Sequence, residues 1–201
     1  PMLNMLSYWF FFLASVIMIS SLFVQTGPAS GGWTVYPPLS ALGDASMGSK
    51  IGMDLWLVSM AMFVVSSLLG GLNYITTILN MRTKGMSMTR MPLTIWALFF
   101  TAVLGVLSFP VLLSGAILLL FDRNLGTSFF LSDIVIAGKI LPNEGGSAIL
   151  FQHLFWFYSH PAVYIMILPG MGVISELISN FSRKKVFGYE FIAFSSIAIA
   201  V

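Results

Sequence analysis

Hydrophobic residues fill four long stretches of the chain, and polar or turn-forming residues separate these stretches. Each stretch is near the ~20 apolar residues that a helix needs to cross a bilayer. The pattern therefore predicts an all-α, polytopic transmembrane helical bundle with four complete helices and the start of a fifth. Asp54 is placed to cap the second helix, and Pro92 lies at the start of the third. The predicted helices cover roughly residues 3–25, 55–80, 92–120, 149–179 and 187–201.

Composition supports a membrane protein. Only 8% of the 201 residues are charged and 58% are hydrophobic, whereas a soluble domain carries about 25% charged residues. The small net charge of +2, without a basic run, argues against a nucleic-acid partner. The chain has no cysteine, which excludes a thiolate metal site. Because it starts without methionine and stops inside an apolar run, we expect a fragment of a longer protein.

Basic residues predict the orientation of the bundle. Six of the nine Lys and Arg residues lie in the loops after the second and fourth predicted helices. Cytoplasmic loops carry such an excess of positive charge, so the first helix should start on the inner side and the fourth should enter from the outer side. The six residues are Arg82, Lys84, Arg90, Arg183, Lys184 and Lys185.

His160 lies about eleven residues into the fourth predicted helix, which is ~16 Å along it. An ionisable group at that depth is costly and suggests a functional site; the alternative is a neutral imidazole hydrogen-bonded to a neighbouring helix. Tyr164 follows at i+4 and therefore shares a helix face with His160. Pro161 should open the helix at this point. A single imidazole cannot hold a metal, so any metal here needs further ligands.

Several long motifs resemble one family. The fourth helix reads LFQHLFWFYSHPAVYIMILPGMGVISE, and GGWTVYPPL, VSSLLGGLNYITTILNMRTKGM and FDRNLGTSFF occur elsewhere in the chain. Together they resemble the heme-copper oxidases, in particular the family of cytochrome c oxidase subunit I. The resemblance covers residues 1–201 and implies a fragment of a twelve-helix core.

The resemblance implies copper and two hemes, with the heme ligands and two further copper histidines outside residues 1–201. His160 would be one of three histidine ligands of the copper. Tyr164 would be covalently joined to that histidine and would supply an electron and a proton when the O–O bond breaks. Trp156 and Val163 would pack around the binuclear site, and Trp33 would lie near the heme propionates.

One departure from the commonest family pattern concerns the proton donor. That pattern has a glycine before the histidine and a glutamate after the proline, whereas this chain has Ser159 and Ala162. Tyr158 replaces a phenylalanine, and the resulting YSHPxVY pattern resembles a subgroup in which a tyrosine–serine pair substitutes for the glutamate. We expect the Tyr158 hydroxyl to order water and relay a proton as a neutral phenol. The alternative is that Tyr158 is a packing aromatic.

Polar residues recur every seven positions in the second predicted helix, at Ser59, Ser66, Asn73 and Asn80. Such a stripe drifts only about 20° per step, and on its own it favours hydrogen bonds between helices. The resemblance instead implies an inner proton channel lined by Asn4, Ser7, Ser59, Ser66 and Ser67. His153 and Glu176 are weaker candidates, interpreted as a lipid or subunit contact and as a solvated carboxylate.

The resemblance implies the catalytic subunit of a terminal respiratory oxidase that reduces dioxygen to water and pumps protons. Cytochrome c would donate electrons through subunit II, and subunit III and membrane lipid would be further partners. A quinol oxidase is the alternative within the class, and a metal-free proton or solute transporter is an alternative from another class. The uncommon tyrosine–serine pattern favours a bacterial inner membrane over the mitochondrial inner membrane.

Overall fold

The structure of the protein is a computed structural model that describes residues 1–45, 47, 50–136, 139–141 and 145–200. Helices dominate the described chain, which confirms the predicted all-α membrane bundle. Four of the described helices are long and apolar enough to cross a membrane, and a fifth is shorter. They are α1 (Met2–Ser21), α2 (Ile51–Asn80), α3 (Leu93–Asn124), α4 (Ala148–Ser182) and α5 (Tyr189–Ala200), with a 3₁₀ turn at Met88–Arg90.

The helix limits differ from the predicted ones at several ends. α2 begins at Ile51 rather than near residue 55, so the prediction that Asp54 caps this helix is wrong. The Asp54 carboxylate instead accepts a hydrogen bond from Arg123 of α3, a tertiary contact that hydropathy does not detect. α1 ends at Ser21 rather than near residue 25. Val201, the predicted last residue of the fifth helix, lies outside the described residues.

The helices pack mainly in chain order, α1 on α2, α2 on α3 and α3 on α4, while α5 contacts α3 and α4. We call the end of the bundle with the two long loops the outer end, following the predicted orientation. The main buried cluster joins residues of these loops to helix residues. It includes Val35, Phe130 and Leu131 from the loops and Leu57, Leu119 and Phe151 from the helices. The long loops are therefore packed parts of the fold.

A short β-hairpin in the second long loop was not predicted. β1 (Ile134–Ile136) pairs antiparallel with β2 (Lys139–Leu141). Strands this short carry too little periodicity to be separated from other apolar runs in the sequence. The loop closes when the Gly146 N–H donates to the Leu131 carbonyl at 3.1 Å, just before α4 begins. A Cβ at Gly146 would overlap the backbone of Leu131, so this closure requires glycine.

α4 remains helical through Pro161 and Pro169, so Pro161 does not end the helix, although it cannot donate the backbone hydrogen bond to the Phe157 carbonyl. Proline removes one backbone donor, but packing against neighbouring helices can maintain a kinked spanning helix. α4 lies close against α3 at Gly172, where a Cβ would lie 2.8 Å from the Ala97 Cβ. Close approach at small residues is the usual way in which membrane helices associate.

Glu176 has a structural role that the sequence analysis missed. Its Oε1 atom accepts a hydrogen bond of 3.1 Å from the backbone N–H of Thr94, in the first turn of α3. The first turn of α3 contains no acidic residue of its own. A carboxylate there satisfies a free N–H group and complements the helix dipole, so α4 caps α3 across the interface.

Two adjacent residues at the end of α3 organise the outer loops. The buried Asp122 carboxylate accepts hydrogen bonds from the backbone N–H groups of Phe129 and Phe130, both at 2.8 Å. Arg123, whose side chain is 2% exposed, donates to Asp54 at 2.5 Å and to the carbonyl of Ser40 at 2.5 Å. Charged hydrogen bonds of this kind hold both loops against the helix ends.

Replacement of Asp54 should destabilise the protein because it removes the countercharge of a buried guanidinium. We expect Asp54→Asn to lower the free energy of unfolding by about 2–3 kcal/mol, measured by thermal unfolding of the intact protein in detergent. The control is Asp44→Asn, which breaks the exposed ion pair with Lys50 and should cost at most about 1 kcal/mol. Equal effects of the two substitutions would contradict this role of Arg123.

Candidate functional site

A cavity of about 270 Å³ lies between α2, α3, α4 and the first long loop. Its wall is mostly apolar, with Trp56 and Met60 on α2 and Leu112 on α3. The hydroxyl groups among its lining residues belong to Tyr158 and Ser159 of α4. We call this space the hydroxyl cavity.

Ser159 is 5% exposed, and its Oγ atom has no hydrogen-bond partner among the described residues. An unpaired buried hydroxyl is costly unless water or a ligand satisfies it. Tyr158 is half-buried beside it and packs against Phe109 of α3 at a ring-centroid distance of 5.2 Å. Ala162 lines the same cavity, so the structure brings together the three positions at which this chain departs from the commonest family pattern.

His160 and Tyr164 lie against each other on α4. Their ring centroids are 4.7 Å apart with an interplanar angle of 79°, which is the juxtaposition expected of residues at i and i+4. The His160 side chain is exposed, and within the described chain it makes no hydrogen bond to a neighbouring helix. The described residues therefore do not contain the alternative arrangement, in which the imidazole is hydrogen-bonded to a neighbouring helix.

The described residues fit one metal ligand at this position and no more. No group of three His, Cys, Asp or Glu side chains able to hold a metal occurs among them. His153, the other histidine of the chain, lies seven residues before His160 on α4, closer to the outer end, and its side chain is exposed. An imidazole with both ring nitrogens unpaired suits a metal that takes its remaining ligands from elsewhere.

The three apolar residues predicted to lie near the binuclear site or the heme propionates all line the hydroxyl cavity. They are Trp33, Trp156 and Val163. Trp156 and Val163 lie at i−4 and i+3 from His160, so they share its face of α4, and both line the hydroxyl cavity. Trp33 of the first long loop packs on Trp156 with ring centroids 5.9 Å apart. The indole N–H of Trp156 donates to the Tyr36 hydroxyl. The first long loop therefore forms the outer wall of the hydroxyl cavity.

A second, larger space of about 670 Å³ opens between α1, α2 and α3 toward the inner end. We call it the inner groove. It is lined by four of the five residues predicted for a proton path, Asn4, Ser7, Ser66 and Ser67. The fifth, Ser59, lies instead at a separate and mostly apolar cavity of about 300 Å³ between α1 and α2.

The serines of this path also connect helices. Ser7 and Ser66 are reciprocal partners, because each hydroxyl donates to the other residue's carbonyl, at 2.9 and 2.6 Å. Ser59 donates to the Ala14 carbonyl at 2.8 Å. The simpler interpretation of the stripe, hydrogen bonding between helices, is therefore confirmed for Ser59 and Ser66 but not for Asn73 and Asn80, whose side chains make no such bond among the described residues. Each hydroxyl can still accept a hydrogen bond from water.

Sequence analysis missed three polar residues of the inner groove, Tyr8 of α1, Tyr74 of α2 and Thr101 of α3. Thr101 donates to the Ala97 carbonyl of its own helix at 2.7 Å, which leaves its oxygen free to accept. The sequence did contain one signal for Thr101, because it places a hydroxyl group in the middle of an apolar helix. Its relevance became visible only once α3 was placed opposite α1 and α2.

The whole chain, residues 1–201, matches the family described as cytochrome C and quinol oxidase polypeptide I. The chain belongs to this family. It is 46% identical over 199 residues to the alternative cytochrome c oxidase subunit 1 of Bradyrhizobium diazoefficiens, covering 99% of this chain and 34% of that protein. It is 49% identical over 200 residues to cytochrome c oxidase subunit 1 of Synechocystis, covering 100% of this chain and 33% of that protein.

The chain therefore spans about a third of the length of these oxidase subunits. Its membership of this family of heme-copper oxidases confirms the resemblance inferred from the fourth-helix motifs. Four apolar helices of spanning length agree with an integral membrane protein.

The two neighbouring serines of α2 should contribute differently to stability. Ser66 bonds across the helix interface, whereas Ser67 donates only to the Phe63 carbonyl of its own helix, at 2.9 Å. We expect Ser66→Ala to destabilise the protein by about 1 kcal/mol and Ser67→Ala to have a smaller effect. Thermal unfolding in detergent measures both, and a larger loss from Ser67→Ala would contradict the assignment.

Proposed function

We propose that this chain is part of the catalytic subunit I of a terminal respiratory oxidase that reduces dioxygen to water with electrons from cytochrome c and pumps protons. Membership of the oxidase family and relatives named cytochrome c oxidase subunit 1 support the proposal. The single observation that carries it is the unpaired His160 imidazole packed against Tyr164. Subunits II and III are the proposed partners, and the bacterial relatives favour a bacterial inner membrane.

His160 would bind copper through one ring nitrogen, together with histidines from outside residues 1–201. Two hemes would likewise take their axial ligands from outside this segment. The copper and the neighbouring heme would supply the binding and reduction of dioxygen. Tyr164, in contact with the imidazole, would orient the ring and hold a proton on its phenol oxygen close to the reacting oxygen.

The histidine pair on α4 offers a matched test of the metal assignment. In the intact oxidase, His160→Asn should abolish most copper binding at the catalytic site and the associated oxygen reduction, because the other ligands cannot complete the coordination. His153→Asn is the control, and it should retain copper and activity. Metal analysis with heme spectra measures the outcome, and full copper content in the His160 variant would exclude this residue as a ligand.

Tyr158 and Ser159 would relay protons from the inner side toward the metal site. The proposed relay uses neutral groups, because the Tyr158 hydroxyl can accept one proton as it gives up another and so never becomes an anion. Ser159, with its unpaired Oγ beside the same cavity, would hold the water that receives the proton. The mostly apolar wall would limit alternative routes for water.

Removal of the relay hydroxyl should slow proton delivery without changing the metal site. We expect Tyr158→Phe to lower proton uptake and turnover several-fold in the intact oxidase, with an additional smaller loss from Ser159→Ala. Ser114→Ala, which removes an exposed hydroxyl on α3, is the control. Proton uptake after a flash or oxygen pulse is the measurement, and normal uptake in Tyr158→Phe would exclude the relay.

Two other functions remain as alternatives to test. The family description includes quinol oxidases, so the electron donor is decided by comparing oxidation of reduced cytochrome c and of a quinol by the intact complex. A metal-free transporter that uses His160 and Tyr164 as a relay would contain neither copper nor heme. Metal and heme analysis of the intact protein distinguishes that class from the oxidases.

A further inference from the structure

Four aromatic rings, one from each long helix, lie in a continuous row across the bundle. The row consists of Phe11 on α1, Phe63 on α2, Phe109 on α3 and Tyr158 on α4. Successive ring centroids are 6.1, 6.3 and 5.2 Å apart, which are contact distances for aromatic pairs. We call these four residues the aromatic row.

The aromatic row lies between the inner groove and the two cavities nearer the outer end of the bundle. Phe11, Phe63 and Phe109 line the inner groove together with the serines of the proposed proton path. Phe11 and Phe63 also line the small cavity of Ser59, and Tyr158 lines the hydroxyl cavity. Phe11 and Phe63 are thus shared walls of the inner groove and the small cavity. Phe109, on the wall of the groove, contacts Tyr158, on the wall of the hydroxyl cavity.

Only one member of the row can exchange a proton. Three of the rings are phenyl groups, which neither donate nor accept a conventional hydrogen bond, and the phenol oxygen of Tyr158 is the exception. Phe109 contacts both Phe63 and Tyr158. Gly105 lies beneath the Phe109 ring, and a Cβ there would come within 3.2 Å of it, so the glycine provides the space that the ring occupies.

We propose that the aromatic row is a barrier to water between the inner groove and the hydroxyl cavity, and that Phe109 is a positioning residue that holds Tyr158 as the crossing point for protons. The inference rests on the proposed proton relay. A proton that arrives by water in the groove is accepted by the Tyr158 hydroxyl, which releases its own proton to water at Ser159. Simple packing of the rings would stabilise the bundle but would not restrict proton movement.

The test uses the intact oxidase reconstituted in phospholipid vesicles. Phe109→Leu keeps an apolar side chain but removes the ring, so water should pass beside Tyr158. We expect oxygen reduction to continue while passive proton leak rises and the respiratory control ratio falls several-fold. In the double variant Tyr158→Phe/Phe109→Leu, the new water path should restore much of the proton uptake that Tyr158→Phe loses.

Matched variants separate a barrier from general loosening of the protein. Phe99→Leu removes a ring from the same helix outside the row, where it packs on Trp96 and Phe100, and it should change neither leak nor uptake. Phe63→Leu should increase the leak in the same way as Phe109→Leu, which provides a second test if Phe109→Leu does not assemble.

An unchanged leak in the assembled row variants, with no recovery in the double variant, would overturn the barrier. Normal uptake in Tyr158→Phe alone would instead exclude the relay, and an increased leak in Phe109→Leu would then still support the barrier itself. A leak of equal size in Phe99→Leu would mean that the rings only maintain packing, which also overturns the inference.

Discussion

Lipid offers no hydrogen-bond partners, so each polar side chain in an apolar helix must be satisfied within the protein or by bound water and ligands. This constraint accounts for most of the polar groups in the structure. Ser7, Ser59 and Ser66 join α1 to α2, and Glu176 caps α3 from α4. Against this background, a group without a partner is informative. Ser159, Thr26 and Thr94 are buried examples in the described chain, and the exposed His160 also makes no hydrogen bond there. Ser159 lines the hydroxyl cavity, and His160 follows it directly on α4.

The helices could be predicted from sequence because each is a long apolar stretch interrupted by polar loops. The helix ends were predicted less well where a tertiary contact determines them. Asp54 follows a good pattern for a cap, but its carboxylate pairs with Arg123 from a helix distant in sequence. The β-hairpin in the second long loop is local, but its strands are too short to stand out in the sequence, whereas the capping of α3 by Glu176 joins residues far apart in the chain. Local patterns contain no information about such pairs.

In the candidate site, too, local features could be predicted from the sequence and features that join several helices could not. The contact of His160 with Tyr164 follows from their spacing on one helix, and the structure contains it. The predicted proton path required groups on several helices, and here the structure separates Ser59 from the inner groove and adds Thr101 to it. Phe63 lies between Ser59 and Ser66 on α2 and lines both spaces. A stripe of equally spaced polar residues therefore does not by itself define a continuous path.

The account depends most on the assignment of His160 as a ligand of the catalytic copper. The most direct measurement is an anomalous-difference map of the intact oxidase, collected at the copper absorption edge. The account predicts a copper peak about 2 Å from a ring nitrogen of His160, as for other imidazole–metal bonds. A fully occupied copper site with no peak within bonding distance of this imidazole would contradict the account.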